Sequence, residues 1–313
     1  PGICPTVHAM TVLETDTSTA SDGCTMLGIY GSYYSNAKEA LDKINDIRKE
    51  ACTAGNVPDP RNPERMLTPS DYSPLKWSSD LERVARIRAA EAGIAYHFMD
   101  SGHQRLNQKE ISDIVYNGHH SSAEDLSYYY NKDMIEGILL WYMEKKDWVN
   151  QDYSKTTGHY TSIINPNHTY IGLGGFYTEA TPYPATLAGE LSATSEQGLD
   201  ETMLSAPKDV MQKIEVSDDF IKNNLLDGTT TIETDQTTTL TPMVQIQRRS
   251  TRKLWMPGTF TYSSSNTAVA KVANTGVVTG VTDGTATITV KSGNTVIAST
   301  KVTVTCAHPL KMT

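Results

Sequence analysis

Long hydrophobic runs are absent from this sequence. No stretch of the 313 residues approaches the roughly 18–20 consecutive apolar residues that span a bilayer. The N-terminal segment also lacks a basic region followed by an apolar core, which is the pattern of a secretory signal peptide. We therefore expect a water-soluble chain from which any signal peptide has already been removed.

Positive charge is scarce. The sequence contains 27 Lys and Arg residues against 36 Asp and Glu residues, for a net charge of −9, and the basic residues are scattered rather than gathered into one stripe. Nucleic acids and anionic membranes bind basic surfaces, so we expect neither as a partner. Most domains have about 100–150 residues, and this chain is about twice that long. Its length therefore indicates two hydrophobic cores.

Cysteine is rare, and its spacing is not that of a metal or redox motif. Cys4, Cys24, Cys52 and Cys306 include no C-x-x-C pair. They are either buried free thiols or disulfides formed in an oxidising compartment, and the acidic, Thr- and Ser-rich composition favours disulfides. Four cysteines allow three pairings. We prefer Cys4 with Cys24 and Cys52 with Cys306, which would tie the end of the chain to the first domain.

Motifs for nucleophilic catalysis and for phosphate binding are also missing. The sequence has no Gly-x-Ser-x-Gly elbow, and the closeness of Ser162 to His159 in sequence does not ensure a hydrogen bond between them. Gly172, Gly174 and Gly175 lie in a strand-like run and do not open a helix, as a phosphate-binding loop does. These absences disfavour a serine or cysteine hydrolase and a nucleotide-binding enzyme.

Helical periodicity is present at three places. Asn36 and Glu39 predict a capping box for the first helix, and Ser79 and Glu82 predict one for the second. The third helix is predicted from about residue 133 to residue 146. The helices thus account for much of the first half of the chain.

Other segments are predicted to be loop or strand. The prolines between Val57 and Pro74 predict a long surface connection, because proline cannot continue a helix. Strand-like runs follow at 160–164 and 170–177. Short alternating runs from residue 213 onward, separated by turn residues, predict an all-β sandwich.

These patterns divide the chain into five parts. We predict an extended segment over 1–29 and an α+β domain over 30–192. A Ser-, Thr- and Gly-rich linker over 193–208 follows. The all-β domain covers 209–306, and 307–313 form a tail.

Short motifs in the α+β part resemble those of the CAP superfamily, which comprises cysteine-rich secretory proteins, antigen 5 and pathogenesis-related 1 proteins and is called SCP or PR-1-like in bacteria. The motifs are Gly158-His159-Tyr160-Thr161, Ala123-Glu124-Asp125-Leu126, Trp141-Tyr142-Met143-Glu144-Lys145 and the Leu75-Lys76-Trp77-Ser78 segment before the second helix. The resemblance implies an α-β-α sandwich with a polar cavity.

Four cavity residues follow from matching the motifs, namely His103, Glu124, Glu144 and His159. The chain departs from the family pattern at Ala123, Asp125 and Ser162, where the family commonly has Gly, Asn and Gln. His97 is the alternative for the first histidine.

Two nearby groups have ordinary explanations. We interpret His119 and His120 as solvated loop residues unless they line the cavity rim. The run Tyr128-Tyr129-Tyr130 could be a recognition patch, but packing is the favoured interpretation because aromatic clusters beside a helix start are usually packed.

The C-terminal part resembles the bacterial Ig-like group 2 (BIG2) domain. The resemblance lies in Tyr262–Asn266, Val269–Val272, Thr275–Val281 and Gly284–Ile288. Such domains are common on exported bacterial proteins. The resemblance therefore implies a secreted or cell-surface protein.

The cavity residues suit binding better than any one reaction. Two imidazoles, His103 and His159, would hold Zn²⁺ or another divalent ion weakly and leave coordination positions open. The leading hypothesis is a binding protein with such a cavity and a groove for a small apolar or extracellular ligand. The alternatives are a metal-dependent hydrolase with Glu124 or Glu144 as general base, and a cell-surface interaction module that contacts a host component.

Overall fold

The computed structural model describes residues 10–193 and 200–306, and the chain divides into two compact units. The first unit comprises the chain up to Cys24 together with Ile29–Ser217. The second comprises Thr25–Gly28 together with the chain from Asp218 onward. None of the helices within the described ranges has the length and apolar character needed to cross a bilayer.

The first unit combines five helices with nine strands among its described residues. The helices are α1 (Ala37–Thr53), α2 (Ser79–Ala95), α3 (Met134–Tyr142), α4 (Lys145–Val149) and α5 (Gly158–Ile164). The strands are β1 (Thr11–Leu13), β2 (Cys24–Tyr34), β3 (Pro58–Asp59), β4 (Asn62–Met66), β5 (Lys76–Trp77), β6 (Ala123–Tyr129), β7 (Tyr170–Tyr177), β8 (Ala185–Ser192) and β9 (Val210–Ser217).

The central sheet lies between two layers of helix. Strands β2, β7, β8 and β6 pair in that order, each antiparallel to its neighbour. Leu173 and Leu187 belong to one core cluster with residues of α1, α3 and α5. Gly174 faces the opposite side, where an added Cβ would meet the backbone of α2 at 2.5 Å. Since successive residues of a strand point to opposite faces, this is the α-β-α sandwich that the resemblance implied.

Helix α2 begins one residue earlier than the sequence predicts. The N-cap is Ser78, whose hydroxyl accepts a hydrogen bond from the Leu81 N–H at 3.2 Å. Glu82 does not complete a capping box. Its carboxylate instead accepts from Trp77 Nε1 at 3.0 Å and from the Leu204 N–H at 2.9 Å, so it joins two distant segments.

Asn36 also has a role other than the predicted one. It makes no side-chain cap for α1. Its side chain donates to Asp133 at 2.6 Å and accepts from the Met134 N–H at 3.0 Å. Asn36 therefore joins the starts of α1 and α3, because a contact across the fold competes for the same amide group.

The predicted strand at 160–164 is wrong, because these residues form most of α5. Its β-branched residues favour a strand locally. Tyr160, Ile163 and Ile164 are all buried, and only helical spacing places these three on one face. Burial of that face against the core therefore overrides the local preference.

Two further expectations for this unit are corrected. The third predicted helix is two helices, since α3 ends at Tyr142 and α4 begins at Lys145. The proline-rich segment is not only a surface connection. It forms the β3–β4 hairpin and buries Val57 and Leu67 in the main core.

Apart from a 3-10 turn at Asp218–Phe220, the described residues of the second unit form β-strands and the loops between them. Its strands are β10 (Ile221–Asp227), β11 (Thr231–Glu233), β12 (Thr237–Thr239), β13 (Thr241–Gln247), β14 (Thr251–Trp255), β15 (Thr261–Ser264), β16 (Ala270–Val272), β17 (Val277–Gly280), β18 (Gly284–Ser292) and β19 (Thr295–Thr305). Sheets β11-β19-β18-β15 and β12-β17-β16 share one core with Ile288, Val278 and Val302 at its centre. Strand β9, counted with the second domain in the sequence analysis, lies in the first unit.

The preferred pairing of Cys52 with Cys306 is wrong, because both are free thiols in the structure. Cys52 is 3% exposed and belongs to the main core of the first unit, where its sulfur packs as a small apolar group. Cys4 lies outside the described residues. Its pairing with Cys24 therefore stays a prediction.

Candidate functional site

Four separate elements supply the polar cluster of the first unit. Glu124 lies on β6 and His159 is the second residue of α5. Glu144 occupies the break between α3 and α4, and His103 lies in the loop that follows α2. The structure brings these four side chains together, although 56 positions separate the first from the last.

The cluster consists of two histidine–glutamate pairs. His103 Nδ1 is 2.8 Å from Glu124 Oε1, and His159 Nδ1 is 2.6 Å from Glu144 Oε1. The two imidazole rings lie nearly parallel, at an angle of 23°, with centroids 6.5 Å apart. Each carboxylate engages Nδ1, so Nε2 is the nitrogen that each ring has left for a ligand.

The imidazoles face solvent while the carboxylates lie behind them. The side chains of His103 and His159 are 46% and 25% exposed, and those of Glu124 and Glu144 are 5% and 13% exposed. The Trp141 ring lies 6.5 Å from the His159 ring at 17° and forms an apolar wall. The Tyr160 N–H donates to the second Glu144 oxygen at 3.0 Å, which fixes that carboxylate.

Arg88 of α2 anchors Glu124 from below. Its Nε and Nη2 donate to the two Glu124 oxygens at 2.7 and 3.1 Å, and Nη2 also donates to the Gly102 carbonyl at 2.8 Å. Burial by itself would raise the pKa of Glu124, but the charge of Arg88 and the hydrogen bonds from His103 and Arg88 outweigh it and hold the pKa at about 2. Glu124 is therefore ionised, and it orients His103.

Behind Arg88 runs a chain of buried charges that the sequence analysis did not identify as part of the site. Arg88 Nη1 donates to Glu91 at 2.6 Å, and Arg105 donates to Glu91 at 2.8 Å and to Asp16 at 3.2 Å. The side chains of Arg88, Glu91 and Arg105 are fully buried. Arg88 and Glu91, three residues apart in the Ala-rich middle of α2, were the signal in the sequence, because charges seldom occupy such a buried helix face.

Glu190 is a second missed residue. It lies directly opposite Glu124 in the β6–β8 register and is 0% exposed. Burial, and then the negative charge of Glu124, raises the pKa of Glu190 well above its usual range. Glu190 therefore holds its proton to a higher pH than an ordinary glutamate does, beside an ionised Glu124.

Asp125 also has a raised pKa. It is 3% exposed, and burial raises its pKa well above the ordinary value despite the opposing effect of the Ser162 hydroxyl. Asp125 and Ser162 stand at two of the positions where the chain departs from the family pattern. A protonated Asp125 can donate a hydrogen bond, as the asparagine usual at this position does.

His97, His119 and His120 lie outside this cluster. His97 is exposed and has a φ of 56°, and its ring centroid lies 4.0 Å from that of Tyr96 with the planes tilted by 57°. The interpretation of His119 as a solvated residue is wrong, because its side chain is 19% exposed and its Nδ1 lies 2.6 Å from Asp80. His120 Nδ1 contacts the Ser121 carbonyl at 3.1 Å.

The three consecutive tyrosines have different surroundings. Tyr129 is 5% exposed and its hydroxyl bonds to that of Tyr34 in the core. Tyr128 packs on the Tyr96 ring at 4.4 Å. Tyr130 is 63% exposed, and its ring centroid lies 5.3 Å from that of Tyr183, so each of the three rings has a packing contact, as we expected.

The residues present fit only an open divalent-metal site. Within residues 10–193 and 200–306, no group of three or more His, Cys, Asp or Glu side chains is arranged to hold an ion. Two Nε2 atoms, each backed by a carboxylate on Nδ1, are a recognised zinc donor arrangement. Two protein ligands leave the other coordination positions to water or to a ligand.

A pocket opens next to the turn that carries Glu144. Its volume is about 400 Å³, and its lining is mainly apolar. The lining residues are Asn56, Tyr142, Met143, Lys145, Lys146, Val149 and Asn150. Met143 is 70% exposed, which is unusual for a large apolar side chain. Lys145 is bonded to Glu50, whereas Lys146 lies exposed at the rim.

Comparisons with known proteins agree with this architecture. Residues 41–186 match the model of the cysteine-rich secretory protein family (CAP), and residues 220–304 match the bacterial Ig-like domain of group 2. Venom allergen 5 of Microctonus hyperodae is 21% identical over an alignment of 163 residues that covers 48% of this chain and 66% of that protein. The chain thus spans slightly less than two thirds of that relative.

Solved structures with some similarity were also found. Venom allergen-like protein 4 of Schistosoma mansoni is 12% identical, with a TM-score of 0.32 over 53% of this chain and 96% of its own. Domains 4 and 5 of the S-layer protein SbsC are 18% identical, with a TM-score of 0.21 over 47% of this chain and 70% of theirs. The two family matches alone assign residues 41–186 to a CAP domain of the cysteine-rich secretory protein family and residues 220–304 to a bacterial Ig-like domain of group 2.

Proposed function

We propose that the CAP domain is a binding module for a small, mainly apolar molecule, and that the pocket beside Met143 receives it. The carrying observation is the pocket itself, whose volume of about 400 Å³ lies within the range of small-molecule sites. Tyr142, Met143 and Val149 supply apolar surface. Lys146 at the rim favours a ligand that carries an acidic group at one end.

The His/Glu cluster adds a weak divalent-cation site to this proposal. His103 and His159 would coordinate Zn²⁺ or a similar ion through Nε2, and Glu124 and Glu144 would fix the ring orientations through Nδ1. A bound ion would supply Lewis-acid chemistry. Because only two protein ligands are present, the expected affinity is well below that of a structural zinc site.

A metal-dependent hydrolase is the second candidate function, and the contacts of Glu124 and Glu144 bear on which of them could act as its general base. Glu124 is a poor general base, since its pKa is about 2 and both oxygens accept from Arg88. Glu144 is the carboxylate left for that role. The Glu144 carboxylate is also hydrogen-bonded, to His159 and to the Tyr160 N–H. These contacts favour a role in orienting His159 over a role in proton transfer.

We further propose that the protein acts outside the cell. Both domain families occur on exported proteins, and an Ig-like domain can space or present its neighbour as a surface interaction module. This proposal is tested by fractionating the source cells and probing each fraction with an antibody. Confinement to the cytosolic fraction would contradict it.

The pocket is tested with a fluorescent fatty acid, cis-parinaric acid, titrated into the full chain. Met143→Glu should weaken binding at least about 10-fold, because it places a charge in the apolar lining. Leu139→Glu is the matched control, since Leu139 is 40% exposed on α3 but does not line the pocket. Equal loss in both variants, or no saturable binding to the unmodified chain, would refute the pocket assignment.

The metal site is tested by calorimetry with Zn²⁺ alone. Weak binding at pH 7.5 should be largely lost at pH 5.5, because imidazole must be neutral to coordinate. The double change His103→Ala, His159→Ala should abolish it, while His97→Ala should not. If His97→Ala abolishes Zn²⁺ binding while His103→Ala retains it, the first histidine of the site is His97 and not His103.

A further inference from the structure

Three exposed apolar side chains lie together at the C-terminal end of α3. Leu139, Leu140 and Met143 are 40%, 41% and 70% exposed. Met143 directly follows the last residue of α3 and keeps helical backbone angles, with φ −60° and ψ −24°. Residues three and four positions apart on a helix are neighbours, so Met143 lies beside both leucines. These three residues form one surface, here called the α3 patch.

The solvent side of α3 has an unusual composition. Ile138 and Trp141 bury the opposite side of the helix in the main core. A helix that buries one side usually presents charged or polar residues to solvent. The one charged residue of α3 is Glu136, whose carboxylate accepts a hydrogen bond from Asn131 at 2.8 Å. Single exposed apolar residues are ordinary, whereas a cluster of them marks an interaction surface, so the α3 patch is a candidate for one.

The pocket opens at one edge of the α3 patch. Met143 belongs to the patch and also lines the pocket, together with Tyr142 and Val149. Lys146 and Asn150, both exposed, line the pocket as well and give it a polar rim. The apolar surface of the patch is therefore continuous with the apolar lining of the pocket.

The composition of the α3 patch favours one kind of partner. The residues that dominate binding between proteins are mostly Trp, Tyr and Arg, and Leu is under-represented among them. Helices that lie in the interface of a bilayer insert Leu and other apolar side chains among the acyl chains. The ligand proposed above is mainly apolar, and such a molecule accumulates in bilayers because water excludes it. The choice of lipid as the partner rests on that proposed function.

We propose that the α3 patch docks the CAP domain on the surface of a lipid bilayer, with the mouth of the pocket at the interface. Leu139, Leu140 and Met143 insert among the acyl chains, while the ammonium group of Lys146 stays at the level of the headgroups. The chain has a net charge of −9, so docking depends on apolar contact and not on attraction to anionic lipid. The contact is peripheral, because the 9 residues of α3 are too few to cross a bilayer.

The test measures flotation of the full chain with vesicles of pure phosphatidylcholine and no added ligand. Leu139→Glu, Leu140→Glu should lower the partition coefficient at least about 10-fold, because it places two charges among the acyl chains. Leu139→Gln, Leu140→Gln should lower it as well, which shows that apolar surface and not charge is decisive. Both leucines are exposed, so both variants should keep the melting temperature of the unmodified chain.

The matched control is Val12→Glu, Val115→Glu. These valines are 49% and 47% exposed in the same unit, and the change in charge is identical. The control should change the partition coefficient less than about two-fold. Addition of anionic phosphatidylglycerol to the vesicles should not strengthen flotation more than about two-fold either.

A second measurement separates docking from the pocket. Leu139→Glu, Leu140→Glu should leave the affinity for cis-parinaric acid in solution within about two-fold, whereas Met143→Glu should weaken both ligand and vesicle binding. If the unmodified chain binds cis-parinaric acid but does not float with vesicles, docking is refuted and the pocket stands. Flotation without cis-parinaric acid binding supports docking and refutes the pocket. Equal loss in the valine control, or a dimer in sedimentation that Leu139→Glu, Leu140→Glu converts to a monomer, would overturn the proposal.

Discussion

Replacement of Arg88 by methionine removes the guanidinium that bridges Glu124 and Glu91 beneath the candidate site. Arg88 is fully buried and donates to both Glu124 and Glu91. Methionine has a similar length and no charge, so Arg88→Met leaves the buried Glu124 carboxylate without its guanidinium partner, while Glu91 keeps Arg105. We expect a large loss of stability without a large loss of volume.

The magnitude follows from the pKa of Glu124. Its displacement from 4.5 to about 2 corresponds to about 3 kcal/mol of stability at neutral pH. Breaking a buried ion pair by removing one partner costs about 3–5 kcal/mol, so the two figures agree. Because the folded-state pKa is lowered, this contribution is present above the unfolded pKa and disappears as the pH falls from about 4.5 towards 2. The difference between Arg88→Met and the unmodified chain should shrink over the same interval.

Hydrogen exchange read by mass spectrometry provides the assay, since it resolves the two domains within one chain. Peptides from α2 and β6 should lose protection in Arg88→Met, while peptides from β18 should serve as an unchanged internal reference. The control is Arg83→Met, whose side chain is 38% exposed and pairs with Asp80, and which should cost no more than about 1 kcal/mol. If both variants cost the same at pH 7, the buried charges do not stabilise the fold in the way argued.

Three further predictions concern the same domain. Gly174→Ala should lower the melting temperature by an amount equivalent to about 1–3 kcal/mol, because the new Cβ meets the backbone of α2. Gly158→Ala is the control and should leave the melting temperature unchanged, because the space around Gly158 is open. Equal shifts in the two variants would contradict the close packing of Gly174 on α2. In the unmodified protein, the native state keeps a proton on Glu190 that the unfolded chain releases, so the free energy of unfolding falls as the pH rises above 4.5. Glu190→Gln removes this proton and should therefore make the melting temperature depend less on pH. If the melting temperatures of the variant and the unmodified protein change in parallel from pH 4.5 to 8, Glu190 does not have the raised pKa. Glu144→Gln should change the affinity for cis-parinaric acid by no more than a few-fold. If the protein instead hydrolyses a peptide or ester, and both a chelator and Glu144→Gln suppress that hydrolysis, the result favours the metal-dependent hydrolase.

Local sequence patterns were sufficient for the domain classes and for the choice of candidate cavity residues. Helical periodicity predicted α1 and α2, and alternating runs predicted strands such as β7 and β18, because amphipathic period and burial are linked directly. The motifs around Glu124, Glu144 and His159 selected residues that the fold does bring together. Each of these signals lies within a few positions of the chain.

Tertiary contacts decided the rest. Residues 160–164 have β-branched side chains but form a helix, because only that form buries Tyr160, Ile163 and Ile164 together. The proton on Glu190 depends on Glu124, which is 66 positions away in sequence and opposite it in the sheet. Pair interactions of this kind fall off over a few ångströms, so only the folded chain determines them.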